Sequence, residues 1–278
     1  MKGTGAEVSL HRLISLRDHV AARALPGHAS NPSGGLSGPR RGQGGDLFDL
    51  RPWQDGDDPR GIDAAATART GRPQMRRRHE EIERSVLLVA DFRRPMLWGT
   101  RGRFRSVAAA DALALEGWRS VMAGARVGAI VFGDGEPLML PPRLREPAML
   151  QIAAMLVSSH ASALSANHPD HDSLSMMLDS LTARVAPGSA VLLATGLDDP
   201  GAGFGAAAAT LMRKSSLELL LVQDSVETAP PSGSFMARTG LRIERGTFGA
   251  TRSAKVLDDH AIPYRIVRAE ASIDDLAA

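Results

Sequence analysis

The residues of this chain best placed to do chemistry are Asp91, Phe92, Arg93, Arg94 and Pro95, which end the apolar run SVLLVA. An apolar stretch of that length without alternation suits a strand buried on both faces of a parallel sheet. Asp91 then stands at the strand's carboxyl end, the edge where open α/β sheets bind ligands, beside a strand at which the winding direction reverses. A carboxylate there can take a cation or anchor a guanidinium. The two arginines after it carry no acceptor, and the proline carries no hydroxyl. The segment is therefore poor in metal ligands and in nucleophiles.

Other chemistries find less support. The chain has no cysteine, hence no thiolate nucleophile, disulfide or cysteine-held metal, and its eight histidines show no HxxxH-type spacing. His168 and His171, beside Asp170 and Asp172, read as a polar loop before a helix. Gly99-Thr100-Arg101-Gly102 is too short for a phosphate loop and lacks its lysine, and no GxSxG elbow is present. Five arginines and no acid lie between Arg93 and Arg105. They read first as a solvated loop, with polyanion or nucleic-acid binding as the alternative, for which only Trp98 and Phe104 supply aromatic rings. The run from Arg76 to Glu81 reads as a solvated strand end. Asp55, Asp57, Asp58 and Asp63 lack the spacing of a calcium loop; they are expected to cap turns and pair with Arg51, Arg60 and Arg69.

The elements that must position these residues follow from patterning. Val8, Leu10, Leu13, Ile14 and Val20 predict an amphipathic N-terminal helix, and residues 26–45 a Gly/Pro/Ser-rich loop. Residues 46–84 read as an irregular arm with a short strand at 74–78. Beyond the central strand come a helix at 106–123, strands at 126–132 and 136–140 joined as a hairpin, and a helix opened by Pro147. A further helix starts at Asp172 or Ser173. The remainder alternates: strand 190–195, helix 204–214, strand 217–223, an irregular insertion at 225–249 with a small hairpin, helix 250–260 and strand 262–267. This order predicts an α/β fold, a doubly wound, mostly parallel six-stranded sheet with helices on both faces. Residues 1–84 form the helix and arm, and 85–278 the sheet domain.

With 278 residues, 33 Lys and Arg against 31 Asp and Glu, the composition gives no nucleic-acid signal of its own. No apolar run approaches the roughly 20 residues of a bilayer span, so a cytoplasmic protein is expected.

One window is more specific. RRGQGGDLFDLRPWQDGDDPRGIDAAATARTGRPQMRRRHEE, at 40–81, closely resembles the signature of the MoxR-associated von Willebrand factor A-like proteins, domain of unknown function 58. The matching positions are Arg41-Gly42, Phe48, Arg51, Trp53, Gly56-Asp57-Asp58, Arg60, Ile62-Asp63 and Ala68-Arg69-Thr70-Gly71. RVGAIVFGD at 126–134, the D-x-x-E at Asp224 and Glu227 and the terminal IPYRIV also fit. Ala64 stands where relatives place a tryptophan, which removes a packing anchor from the arm.

The resemblance implies a von Willebrand A-like sheet whose strand ends would ancestrally form a metal-ion-dependent adhesion site. Of its five ligand positions only Asp91 is kept; the two serines become Arg93 and Pro95, the threonine Asp172, and the last aspartate Gly196. A degenerate, metal-free site follows, with no cofactor. Arg93 is expected either to pair internally with Asp91 and Asp172 or, with Arg94, to point outward and take a partner's carboxylate bidentately. The resemblance further implies a non-enzymatic adaptor for a MoxR-type AAA+ ATPase and a client complex, in maturation, activation or cofactor insertion. A metal-dependent ligand-binding domain and a polyanion-binding module are the alternatives.

Overall fold

The computed structural model describes residues 5–24, 49–77, 84–133, 135–166, 172–239, 242–247, 249, 251–272 and 275. The glycine-rich loop, Arg41-Gly42, Phe48, residues 78–81, and the His168, Asp170 and His171 cluster lie outside the described residues. In chain order the elements are α1 (Leu10–Ala24), β1 (Asp49–Pro52), α2 (Ala64–Thr70), β2 (Gln74–Arg77), β3 (Ser85–Asp91), α3 (Arg105–Met122), β4 (Arg126–Phe132) and β5 (Leu138–Arg143). They continue with α4 (Glu146–Ser165), α5 (Leu174–Arg184), β6 (Ala190–Thr195), α6 (Phe204–Lys214), β7 (Ser216–Gln223), α7 (Ser225–Thr228), β8 (Phe235–Thr239), β9 (Arg242–Gly246), α8 (Ser253–Asp259) and β10 (Tyr264–Arg268).

Six strands form one sheet in the order β10-β7-β6-β3-β4-β5. All neighbours pair in parallel except β5, which turns back antiparallel on β4. This is the doubly wound α/β sheet expected. The chain winds outward from β3 in both directions, so the gap between the carboxyl ends of β3 and β6 is the topological switch point. The edge strand β5 begins two residues later than its pattern predicts and holds Pro141 and Pro142, residues that an edge tolerates and a central strand does not.

Alternate residues of the central strands feed two cores. Val86, Leu88, Ala90, Val127, Ala129 and Val131 pack on the side of α1, α3 and α4. Leu87, Val89, Ile130, Val191, Leu193, Leu219 and Leu221 pack on the side of α5, α6 and α8. Helix α3 is buried almost all round, because the sheet lies on one side and α1 and α4 on the other. The indole of Trp118 donates to the Leu13 carbonyl at 2.9 Å and ties α1 to it. The buried stripe of α1 is Leu13, Leu16 and Val20, with Val8 buried just ahead of the helix, whereas Leu10 and Ile14 are exposed. Two of the expected stripe residues thus face outward, and Leu16 takes a place the pattern did not assign.

Among the described residues one helix, α4, is long and apolar enough by length and composition to cross a bilayer, contrary to the expectation that no run comes near. Its Met149, Ile152, Ala153 and Leu156 are buried against α3 and β4, as in a core helix.

The chain divides into two compact units, residues 1–30 with 84–278, and residues 31–83. In the second, β1 and β2 pair antiparallel. Asp57 takes the Arg51 guanidinium bidentately at 2.7 and 2.5 Å and also accepts from Gln54 N, and these bonds hold its carboxyl below the usual range. Asp58 caps the turn at Pro59–Gly61, and Asp63 caps α2 through Ala66 N at 2.8 Å. Arg60, Arg69 and Ala64 are exposed, while Trp53 is half-buried and bonds through its backbone to Pro73. The ARTG motif closes α2. Gly71 sits at φ 68° in the left-handed region and returns its N–H to Thr67 O. Gly71→Ala is expected to cost about 1 kcal/mol, read as faster hydrogen exchange of the Gln74 amide bonded to Thr67 Oγ1.

Candidate functional site

The carboxyl ends of β3 and β6 hold a closed polar cluster. Asp91 is fully buried, and both its oxygens are taken. Oδ1 accepts from Arg93 N at 3.1 Å and Arg93 Nε at 2.9 Å, and Oδ2 from Arg93 Nη2 and Thr195 Oγ1 at 2.8 and 2.7 Å. Thr195 in turn accepts from Leu197 N. The rest of the Arg93 fork reaches across the switch point, Nη1 to the Asp172 carbonyl at 2.6 Å and Nη2 to the Asp198 carbonyl at 3.1 Å. Burial by itself would lower the Arg93 pKa. The charge and hydrogen bonds of Asp91 outweigh it and hold the guanidinium above its ordinary value.

Of the two expectations for Arg93, the internal pair is what forms: its side chain is 1% exposed. Asp172 joins through its main-chain carbonyl, with its side chain exposed, so it is not the carboxylate partner that was expected. Arg94 opens a short 3-10 turn (Arg94–Met96) and faces solvent.

A second guanidinium beside the first was not anticipated. Arg105, at the start of α3 and fully buried, donates from Nη2 to Asp198 Oδ2 at 2.7 Å and to the Pro95 carbonyl, and from Nη1 to Glu227 Oε1 at 3.0 Å. Its other face lies 4.6 Å from the Trp98 ring centroid, a cation–π contact. Space for it comes from Gly196, where a Cβ would stand 2.5 Å from Arg105 Nη1 and 2.6 Å from Asp198 Oδ2. Burial raises the pKa of both Asp198 and Glu227, with the Arg105 charge opposing it. Glu227 also accepts from Asp224 N in a capping box at α7, which accounts for the D-x-x-E spacing, while Asp224 accepts from Thr100 N and Thr100 Oγ1. The loops after β3, β6 and β7 are thus fastened through two arginines.

The basic segment as a whole differs from the solvated loop expected. Arg93, Arg103 and Arg105 are buried. Arg103 meets Asp111 at 2.5 Å and the carbonyls of Ala269 and Ala271, and Asp111 is shared with Arg12 at 2.8 Å. Paired carboxylates and carbonyls make such burial tolerable, and several of them, Asp198, Glu227, Ala269 and Ala271, come from distant loops that a local reading does not contain.

Behind Phe92 lies His160 of α4, edge-on at 5.2 Å between ring centroids, its Nε2 2.9 Å from Ser106 Oγ. Burial lowers its pKa to about 4. The imidazole is therefore neutral in the fold, while the unfolded chain protonates below its ordinary 6.5. Stability from this group is complete above pH 6.5 and is lost as the pH falls toward 4, by about 3 kcal/mol in all. Urea midpoints at pH 7, 5 and 4 should fall less steeply in His160→Gln than in the unaltered protein; parallel slopes would show that the ring is solvated.

The model of a family described as protein of unknown function DUF58 matches residues 49–236, from β1 through the stapled strand ends into β8. No curated protein matches the chain. Among solved structures, the conserved hypothetical protein BatB from Bacteroides thetaiotaomicron is similar at 15% identity and a TM-score of 0.44, over 69% of this chain and 93% of that one. The family match takes in both the capped turns of the arm and the Asp91 edge, and with well over half its length so matched, this chain belongs to the DUF58 family.

Proposed function

We propose that the protein is a cytoplasmic, non-enzymatic adaptor that docks a partner protein on the carboxyl edge of its sheet. In keeping with its resemblance to MoxR-associated proteins, the partner is an AAA+ ATPase of the MoxR type acting on a client complex, in its maturation, activation or cofactor insertion. The observation that carries this reading is the Arg93 guanidinium seated on Asp91. In an adhesion-type site a divalent cation would occupy that position, held by oxygen ligands. Here both Asp91 oxygens are engaged by Arg93 and Thr195, and a fixed positive charge stands where the cation would sit. The residues do not fit a metal, which supports reading the edge as a degenerate adhesion site that holds its shape without one.

Catalysis is a poor fit as well. The Ser106–His160 pair has nucleophile-base geometry, but both side chains are buried, Ser106 on α3 and His160 on α4, out of reach of a substrate. Polyanion binding loses three of the five arginines it needs to internal bonds.

The test is a pull-down of tagged protein with and without ATP, comparing it with Arg94→Glu, which leaves the buried Arg93 pair intact. Recovery of a MoxR-type ATPase that weakens in the variant supports the adaptor and assigns Arg94 to the contact. Recovery that is unchanged keeps the adaptor and moves the contact elsewhere, the arm included. A folded protein that retains no ATPase under either condition overturns the reading.

A further inference from the structure

Beside the Asp91 cluster, a cleft of about 260 Å³ opens between the carboxyl end of β4, the start of β5 and the last turns of α4. Phe92, Val131, Leu138 and Ala163 give it apolar walls, and Ser159, Ser162 and Glu136 supply its hydrogen-bonding side chains. Ser159 is 9% exposed, and its hydroxyl has no partner among the described residues. A buried hydroxyl left unpaired costs roughly 1–3 kcal/mol, a cost recovered when a ligand supplies the missing bond. Glu136 is exposed and makes no ion pair with a described residue. Anionic ligands are disfavoured by that carboxylate, and a purely apolar one leaves Ser159 unsatisfied. An alkyl stem ending in an ammonium satisfies both: the methylenes lie along the apolar wall, and the charged head donates to the hydroxyl and the carboxylate.

We propose that this cleft receives a lysine side chain of the docked partner. The inference rests on the adaptor reading and deepens it, since it puts a specificity pocket next to the stapled strand ends. Glu136 and Ser159 select the ammonium, while the cleft's length of apolar wall selects against a short cation.

The probe is Nα-acetyl-lysine methylamide, titrated into methyl-labelled full-length protein, with the norleucine analogue as the uncharged control. The Leu138, Val131 and Ala163 methyl signals are expected to shift and saturate in the millimolar range with the lysine probe, and about fivefold more weakly with norleucine or in Glu136→Gln. Ser159→Ala should weaken the lysine probe about threefold while leaving the melting temperature unchanged or higher, because the unpaired hydroxyl is gone. Equal affinity for the two probes, or no shift at these methyls, overturns the proposal. The titration contains no ATPase, so an absent ATPase in the pull-down and an absent lysine site are read separately.

Discussion

Asp91→Ala is expected to lower the unfolding free energy by about 3–5 kcal/mol, because it leaves the Arg93 charge buried with only main-chain carbonyls to bond. The corresponding loss in Arg93→Met is of similar size, since Asp91 keeps only Thr195 and the backbone N–H of residue 93. The double variant Asp91→Ala, Arg93→Met removes both charges and fills much of the space. Buried pairs contribute little net stability beyond an apolar replacement, so the double variant should recover most of the loss, to within about 1–2 kcal/mol of the unaltered protein. Urea unfolding of the four proteins completes the cycle. A single variant costing less than about 1 kcal/mol would mean that Arg93 swings to solvent once released, and the closed cluster would then be no staple.

Arg105→Met should cost about 3 kcal/mol at pH 7 and markedly less near pH 4. The sign follows from the carboxylates it faces. Burial already raises Asp198 and Glu227 above their ordinary values of 3.8 and 4.5, even with Arg105 beside them. A carboxyl whose pKa is raised by folding binds more protons in the folded state, so its contribution to stability declines as the pH climbs from the ordinary value through the folded one. Removing the arginine raises both further. The variant is then penalised at neutral pH, where the carboxylates must ionise without a partner or take up protons, and penalised less in acid, as both carboxyls gain protons. The difference between variant and parent midpoints, followed from pH 7 to pH 4, should narrow steadily. A gap independent of pH would assign the arginine a packing role only.

The sheet was legible in the sequence because its central strands are buried on both faces and so read as uninterrupted apolar runs. β4, β6 and α6 fall on the residues their patterns mark, Arg126–Phe132, Ala190–Thr195 and Phe204–Lys214. Asp91 and Arg93 were legible as a pair because they lie two residues apart at a strand end. Arg105 was not. Its partners, Asp198 and Glu227, are 93 and 122 residues away, and nothing local distinguishes an arginine that will be buried from one that will be solvated. Asp198 escaped for a related reason: the loop after β6 turns through left-handed backbone at Leu197 and Asp199, φ 61° and 45°. That turn brings the residue two beyond Gly196 into the site, where strand spacing alone would count it past the edge.

The close approach at Gly196 also constrains how this protein can change over generations. Any side chain at that position meets the Arg105 guanidinium and the Asp198 carboxylate before it meets water, so a substitution there is tolerated only after Arg105 has been shortened. Shortening Arg105 first strands two half-buried carboxylates. Each step is deleterious without the other, and a lineage that has acquired this arginine holds a historical lock: the two codons must move together or stay as they are.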